Sequence, residues 1–150
     1  MKSFNKTFLP NQKYKNYNWY IINCKNQSLG RLSTYIVNLL SGKGKSYYYP
    51  SINTGDYIIL TNIQSIIMDQ KKIIFSVYNP GYPGRALKAK KVYQCSPKLI
   101  VERSIKQMLS KTKVKDLLNK LRFYNDNLHT HQAQNPININ IKDLYFFNLK

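Results

Sequence analysis

Residues 16–56 read NYNWYIINCKNQSLGRLSTYIVNLLSGKGKSYYYPSINTGD, and the order of their pieces decides the fold. Trp19-Tyr20-Ile21-Ile22 is a compact aromatic and β-branched run, the composition of a buried strand, and it places Trp19 in the core. Lys25-Asn26-Gln27-Ser28 breaks it. From Ser28, a good N-cap, apolar side chains recur at Leu29, Leu32, Ile36, Leu39 and Leu40, one stripe of a 3.6-residue helix that ends at Gly42. Tyr47-Tyr48-Tyr49-Pro50 predicts an extended aromatic link, and a Thr54-Gly55 turn leads into a second strand from Asp56 to Thr61. The chain thus alternates strand and helix from its start.

Farther along, Ile66-Ile67-Met68 and Lys72 to Tyr78 predict two shorter strands joined by an Asp69-Gln70 turn. Two prolines and two glycines within residues 79–84 forbid regular structure, and a loop follows that carries Arg85, Lys88, Lys90 and Lys91. Ser96-Pro97 sets an N-cap with proline in the first helical position; Val101, Ile105, Met108 and Leu109 give that second helix its stripe, to an end near Ser110. Lys111 to Lys115 is a cationic connector that includes Lys113, Asp116 to Leu121 suits one or two helical turns, and Leu121-Arg122-Phe123-Tyr124 has strand character. From Ile137 to Lys150 the tail alternates apolar and polar residues without an evident partner. With no internal repeat, the expectation is a basic arm over 1–18, one domain over 19–136 and a C-terminal extension over 137–150.

Charge narrows the partners. Twenty-four Lys+Arg against six Asp+Glu give +18, a field whose natural complement is a polyanion, because every phosphate contact releases condensed counterions. The 150 residues suffice for one domain with a substantial core. Apolar runs such as Tyr57-Ile58-Ile59-Leu60 fall far short of the ~20 residues that cross a bilayer, so no membrane role is expected. The polar, basic residues 1–18 contain no signal-peptide core, and Cys24 and Cys95 lie far apart without CxxC spacing, which predicts two reduced thiols rather than a disulfide framework. Lysine outnumbers arginine by about 20 to 4, and with Asn, Ile and Tyr this matches an AT-biased genome.

Several small constellations invite chemistry that their surroundings refuse. Gly44-Lys45-Ser46 matches the end of a nucleotide phosphate loop, but the first glycine would fall on Leu39 and the turn follows a helix instead of opening one. The same glycines and Lys43 and Lys45 suit an RNA backbone contact. His129-Thr130-His131 has two imidazoles at a ligating spacing but no third ligand, so no metal is expected and an RNA contact or a hydrogen-bonding role is preferred. The six acids are scattered, without a carboxylate pair or an activated nucleophile, which argues against an enzyme and against any cofactor or small-molecule substrate. Asp56 reads as a turn residue or a partner for nearby lysines. Aromatics interleave with cations at Lys13-Tyr14-Lys15, Lys45 to Tyr49 and Arg122-Phe123-Tyr124, a mixture able to stack on unpaired bases.

Taken in order, Trp19-Tyr20-Ile21-Ile22, Leu29-Gly30-Arg31-Leu32-Ser33-Thr34, Gly42-Lys43-Gly44-Lys45 with Tyr49-Pro50, Thr54-Gly55-Asp56-Tyr57-Ile58-Ile59, Gly81-Tyr82-Pro83-Gly84, Met108-Leu109, Lys120-Leu121-Arg122-Phe123-Tyr124, and His129-Thr130-His131 with Ala133-Gln134-Asn135-Pro136 resemble the family of large ribosomal subunit protein thirteen, of the bacterial and organellar type. The resemblance implies a three-layer α/β/α sandwich around a small, mostly parallel sheet, with basic N- and C-terminal extensions. It implies a structural constituent of the large ribosomal subunit that binds large-subunit ribosomal RNA beside neighbouring ribosomal proteins and supports assembly, with no enzymatic activity. Carried onto this sequence, the RNA-facing set is Arg31, Lys43, Lys45, Arg85, Lys88, Arg122, His129, His131 and Gln134, to which the charge pattern adds Lys90, Lys91, Lys111 and Lys113. Departures from the family pattern fall at Asn79-Pro80, Arg85, Gln107, Ser110 and Val114-Lys115-Asp116. The wording of residues 29–34 and the AT-rich composition are similar to plastid-encoded forms, which implies a ribosome in the plastid (chloroplast) stroma, with a mitochondrial matrix or a bacterial cytoplasm as alternatives. The rival readings are a nucleic-acid-modifying enzyme, another basic RNA-binding module outside the ribosome, and a lipid-surface module. That last reading needs a basic amphipathic helix with exposed apolar residues, whereas the Leu29–Leu40 stripe is required by the core.

Overall fold

The computed structural model describes residues 10–11 and 16–141, so Lys13-Tyr14-Lys15 and the tail from Lys142 lie outside the described residues. Four parallel strands form the central sheet in the order β5-β2-β1-β6, where β1 is Trp19–Asn23, β2 Tyr57–Thr61, β5 Leu121–Phe123 and β6 Ile137–Ile139. A separate antiparallel ribbon pairs β3 (Ile73–Tyr78) with β4 (Ala86–Lys91). The helices are α1 (Leu29–Ser41), α2 (Pro97–Met108) and α3 (Val114–Leu118). The α/β sandwich expected from the sequence is present, with its main sheet wholly parallel among the described residues.

Alternation along the strands explains where the core sits. Ile22 on β1, Ile58 and Leu60 on β2 and Leu121 on β5 point to one face, where they meet Leu32, Ile36 and Leu40 of α1, Val101 and Ile105 of α2 and Leu117 of α3 in a single apolar cluster. The stripe at positions 32, 36 and 40 loses all its exposure, at about 1.5–3 kcal/mol per side chain. A hydrogen bond of 3.0 Å from Ser104 to Ser33 fixes α2 against α1. Ile59 is equally buried on the opposite face, where the return from β5 to β6 passes, with the 3-10 turn Gln132–Gln134 just before β6.

The start of α1 is held by backbone rather than by the Ser28 hydroxyl. Ser28 has extended N-cap geometry but no side-chain cap bond; instead Leu29 N–H donates to the Ile67 carbonyl at 3.2 Å and Ile67 N–H to Gln27 at 2.9 Å. At its other end Gly42 adopts φ 73°, the left-handed cap conformation. A Cβ on Gly55 would lie 1.6 Å from the Leu40 carbonyl oxygen, so the Thr54-Gly55 turn packs directly on the last turn of α1, and Asp56 N–H donates to Leu39 there.

Five sequence expectations are corrected. Ile66-Ile67-Met68 does not pair with β3; Ile67 makes only an isolated bridge to Ser28. The partner of β3 is β4, so Lys88, Lys90 and Lys91 sit on a strand instead of a loop, because the Pro- and Gly-rich residues 79–84 turn the chain back and Ile73 to Tyr78 align in register with Ala86 to Lys91. Residues 42–52 form successive turns rather than an extended link, through bonds from Lys45 to Gly42, Tyr48 to Lys45 and Ile52 to Tyr49. Ile137–Ile139, left without a partner, pairs with β1, and Ile141 is buried in the core beyond it. Trp19 is half-buried rather than core, stacked on Tyr57 with ring centroids 4.5 Å apart.

Candidate nucleic-acid interface

The expected RNA-facing residues separate into two groups. Because the sheet is parallel, the starts of β1, β2, β5 and β6 share one edge, and α1 returns the chain to that edge. There lie Lys43 and Lys45 just past α1, Lys113 against Pro50, His131 beside Trp19 and Gln134 just ahead of β6, while His129 packs on Tyr124 just past the end of β5. The β3–β4 ribbon, reached from the far end of β2, carries Arg85, Lys88, Lys90 and Lys91. Arg31 opens α1 on that side, and Arg122 lies on the edge strand β5.

At the first edge the lysines are not equivalent. The Lys45 ammonium donates to the Asp56 carboxylate at 2.6 Å, to the Thr54 carbonyl at 2.9 Å and to the Asn16 carbonyl at 3.2 Å, so all three of its protons are used. Asp56 is buried and accepts the Asn18 N–H as well, at 2.9 Å. Lys45 therefore ties the glycine turn to the base of β2; Lys113, half-buried, is likewise drawn onto the Pro50 carbonyl. Lys43 is exposed on the same turn. This geometry also disposes of the phosphate-loop resemblance, since the lysine that would hold a phosphate is locked to a carboxylate.

Sequence reasoning missed Lys120 as part of this edge. It is buried, donates to the Gly55 carbonyl and to the Asn53 side chain, and sits 4.0 Å above the Tyr17 ring. Burial pushes its ammonium down to about 8, partly opposed by the Asp56 carboxylate and aided by the Lys45 charge. Its signal in the sequence was faint: a lysine directly before a strand. Around it runs a chain of rings, from Tyr17 edge-on to Tyr57 at 5.9 Å, through Trp19 to His131 at 5.3 Å, and on to Tyr124 at 6.0 Å. His129 packs edge-on to Tyr124 at 6.4 Å, and its buried Nδ1 has no hydrogen-bond partner among the described residues. Both histidines are thus half-buried members of an aromatic cluster, and no group of three or more metal-ligating side chains occurs among the described residues.

The second group is open. Arg85, Lys88, Lys90 and Lys91 are all exposed, as are Arg31, Lys111, Arg122 and Gln134. Lys88 lies 4.2 Å above the Tyr78 ring, which steadies its long side chain without removing it from solvent. The family model described as Ribosomal protein L13 matches residues 17–130. The chain belongs to the ribosomal protein L13 family. It is 43% identical over 136 residues to a large ribosomal subunit protein uL13c of Trieres chinensis, covering 90% of this chain and 96% of that one. A uL13c of Gracilaria tenuistipitata var. liui is 41% identical over 138 residues, covering 88% and 95% of the two chains. A bacterial uL13, from Geobacter sp. (strain M21), is 36% identical over 141 residues, covering 91% and 99%. An L13-family chain is a structural protein and not an enzyme.

Proposed function

We propose that this chain is a structural constituent of the large ribosomal subunit and holds large-subunit ribosomal RNA through fixed cations on a rigid α/β body. The observation that carries the reading is the ribbon segment 71–91, in which Lys71, Lys72, Arg85, Lys88, Lys90 and Lys91 are all exposed and no acidic residue occurs. A surface of one sign with so little internal compensation attracts a polyanion and contributes affinity that falls steeply with salt. Arg31, Lys43, Lys111, Arg122 and Gln134 extend the contact, while Lys45, Lys113, His129 and His131 act by shaping the edge from which Lys43 projects. Selectivity for the folded RNA then comes from the spacing of the two groups across the sheet, that is, from RNA shape.

The AT-biased composition and the similarity to the uL13c proteins support a plastid ribosome as the site of action. Sedimentation of fractionated organelles through sucrose at low and high salt tests both halves of the proposal. The expected result is co-migration with the plastid large subunit that persists through moderate salt washes. Recovery in soluble fractions, or with bacterial or mitochondrial particles alone, overturns the reading or its compartment respectively.

A further inference from the structure

The β3–β4 ribbon has a front and a back. Its back, with Ile74, Ser76, Lys88 and Lys90, faces a cleft shared with Leu99 and Arg103 of α2, and the Arg103 guanidinium donates to the Phe75 carbonyl. Alternation puts Ile73, Phe75 and Val77 on the front together with Leu87, Ala89 and Lys91. Ile73, Phe75, Val77 and Leu87 are 46%, 53%, 43% and 66% exposed, an unusual concentration of apolar area on an isolated two-stranded ribbon. Phe75 stands directly opposite Ala89, the smallest side chain on that front, so the space beside its ring is open. Val77 and Leu87 form the neighbouring pair, and Tyr82 at the tip is 73% exposed.

The charge around this face says what covers it. Six cations and no acid lie within 71–91, with Lys91 on the front itself and Arg85 at the tip, so a protein neighbour would need a matching acidic rim. Unpaired RNA meets both demands at once, offering base and ribose faces to the apolar centre and phosphates to the rim. We propose that the front of the β3–β4 ribbon is a base-stacking platform for unpaired nucleotides of large-subunit ribosomal RNA. A base lies on Phe75 in the space over Ala89, with Val77 and Leu87 closing one side and Lys91 and Arg85 holding the flanking phosphates. This rests on the RNA-binding reading above and narrows it to one face and one mode of contact.

The test is equilibrium binding of the full chain to a protein-free large-subunit rRNA transcript across a series of KCl concentrations, combined with ultraviolet cross-linking. Phe75→Ala weakens binding roughly five- to hundredfold while leaving the salt slope unchanged, because stacking neutralises no phosphate. Phe75→Tyr restores it, and Lys91→Gln instead flattens the slope by about 1. Cross-links map to the peptide containing Phe75. If the unaltered chain binds with a steep salt slope and Phe75→Ala binds equally well, the platform is wrong and the broader reading stands; if the unaltered chain does not bind, both fail. Loss of a protein neighbour from the subunit with RNA binding intact assigns the face to protein and also overturns the proposal. Phe75 is exposed, so each variant should fold, and continued protection of the buried Cys24 thiol verifies it.

Discussion

Lys43 and Lys45 are two positions apart on one glycine turn and have opposite fates, the first exposed and the second locked to Asp56. Removing one partner of a buried pair strands the other charge, so Asp56→Asn should lower unfolding free energy by roughly 3–5 kcal/mol in urea titrations. Lys43→Gln should leave stability within about 0.5 kcal/mol and instead flatten the salt dependence of RNA binding by about 1. The reverse pattern would contradict the division drawn between them. Lys120 adds a pH signature. Its value falls from an ordinary 10.5 to about 8, so between those limits the folded chain holds fewer protons than the unfolded chain, and this group's contribution to stability rises with pH across the window. Side-chain NMR should show the Lys120 ammonium titrating near pH 8, and Lys120→Met should flatten the rise; a midpoint at the ordinary lysine value contradicts the burial argument.

The joint between α1 and β2 depends on Gly55 more than on any single apolar contact. A Cβ there would overlap the Leu40 carbonyl at 1.6 Å, and the backbone carbonyl cannot swing aside as a side chain could. Gly55→Ala should therefore cost about 3 kcal/mol or more, read as a drop in the urea midpoint, whereas Gly30→Ala, where nothing lies within 4 Å and the position is helical, should be neutral or stabilising. Both main helices were legible from periodicity, because each buries one stripe and the pattern records it, while β1, β2 and β5 were legible as short β-branched and aromatic runs, β2 being buried on both faces. The ribbon was not: β4 reads Ala86-Leu87-Lys88-Ala89-Lys90-Lys91, and a strand exposed on both sides leaves no hydrophobic alternation to find. β6 escaped for a related reason, since three residues on an edge give too short a pattern and their partner, β1, lies more than a hundred positions earlier. The locking of Lys45 was equally hidden, as the acid it meets is eleven residues away across a turn.

For the molecule as a whole, +18 is a burden in isolation, since like charges repel in any compact state, and it becomes useful only against a polyanion. Among the described residues Lys45 pairs with Asp56, and the ribbon keeps its cations in solvent. Family membership was legible from ordered motifs, while which cations remain available required the folded chain, because sequence cannot distinguish an outward lysine from one bent back onto a carbonyl. The most direct test is the affinity of the purified chain for large-subunit rRNA measured against KCl concentration. With ~8 phosphates neutralised, log affinity plotted against log salt should fall with a slope near −6 to −7, and replacing Arg85, Lys88, Lys90 and Lys91 together by glutamine should flatten it by about 3. A slope near zero, or one unmoved by those four changes, would contradict the account.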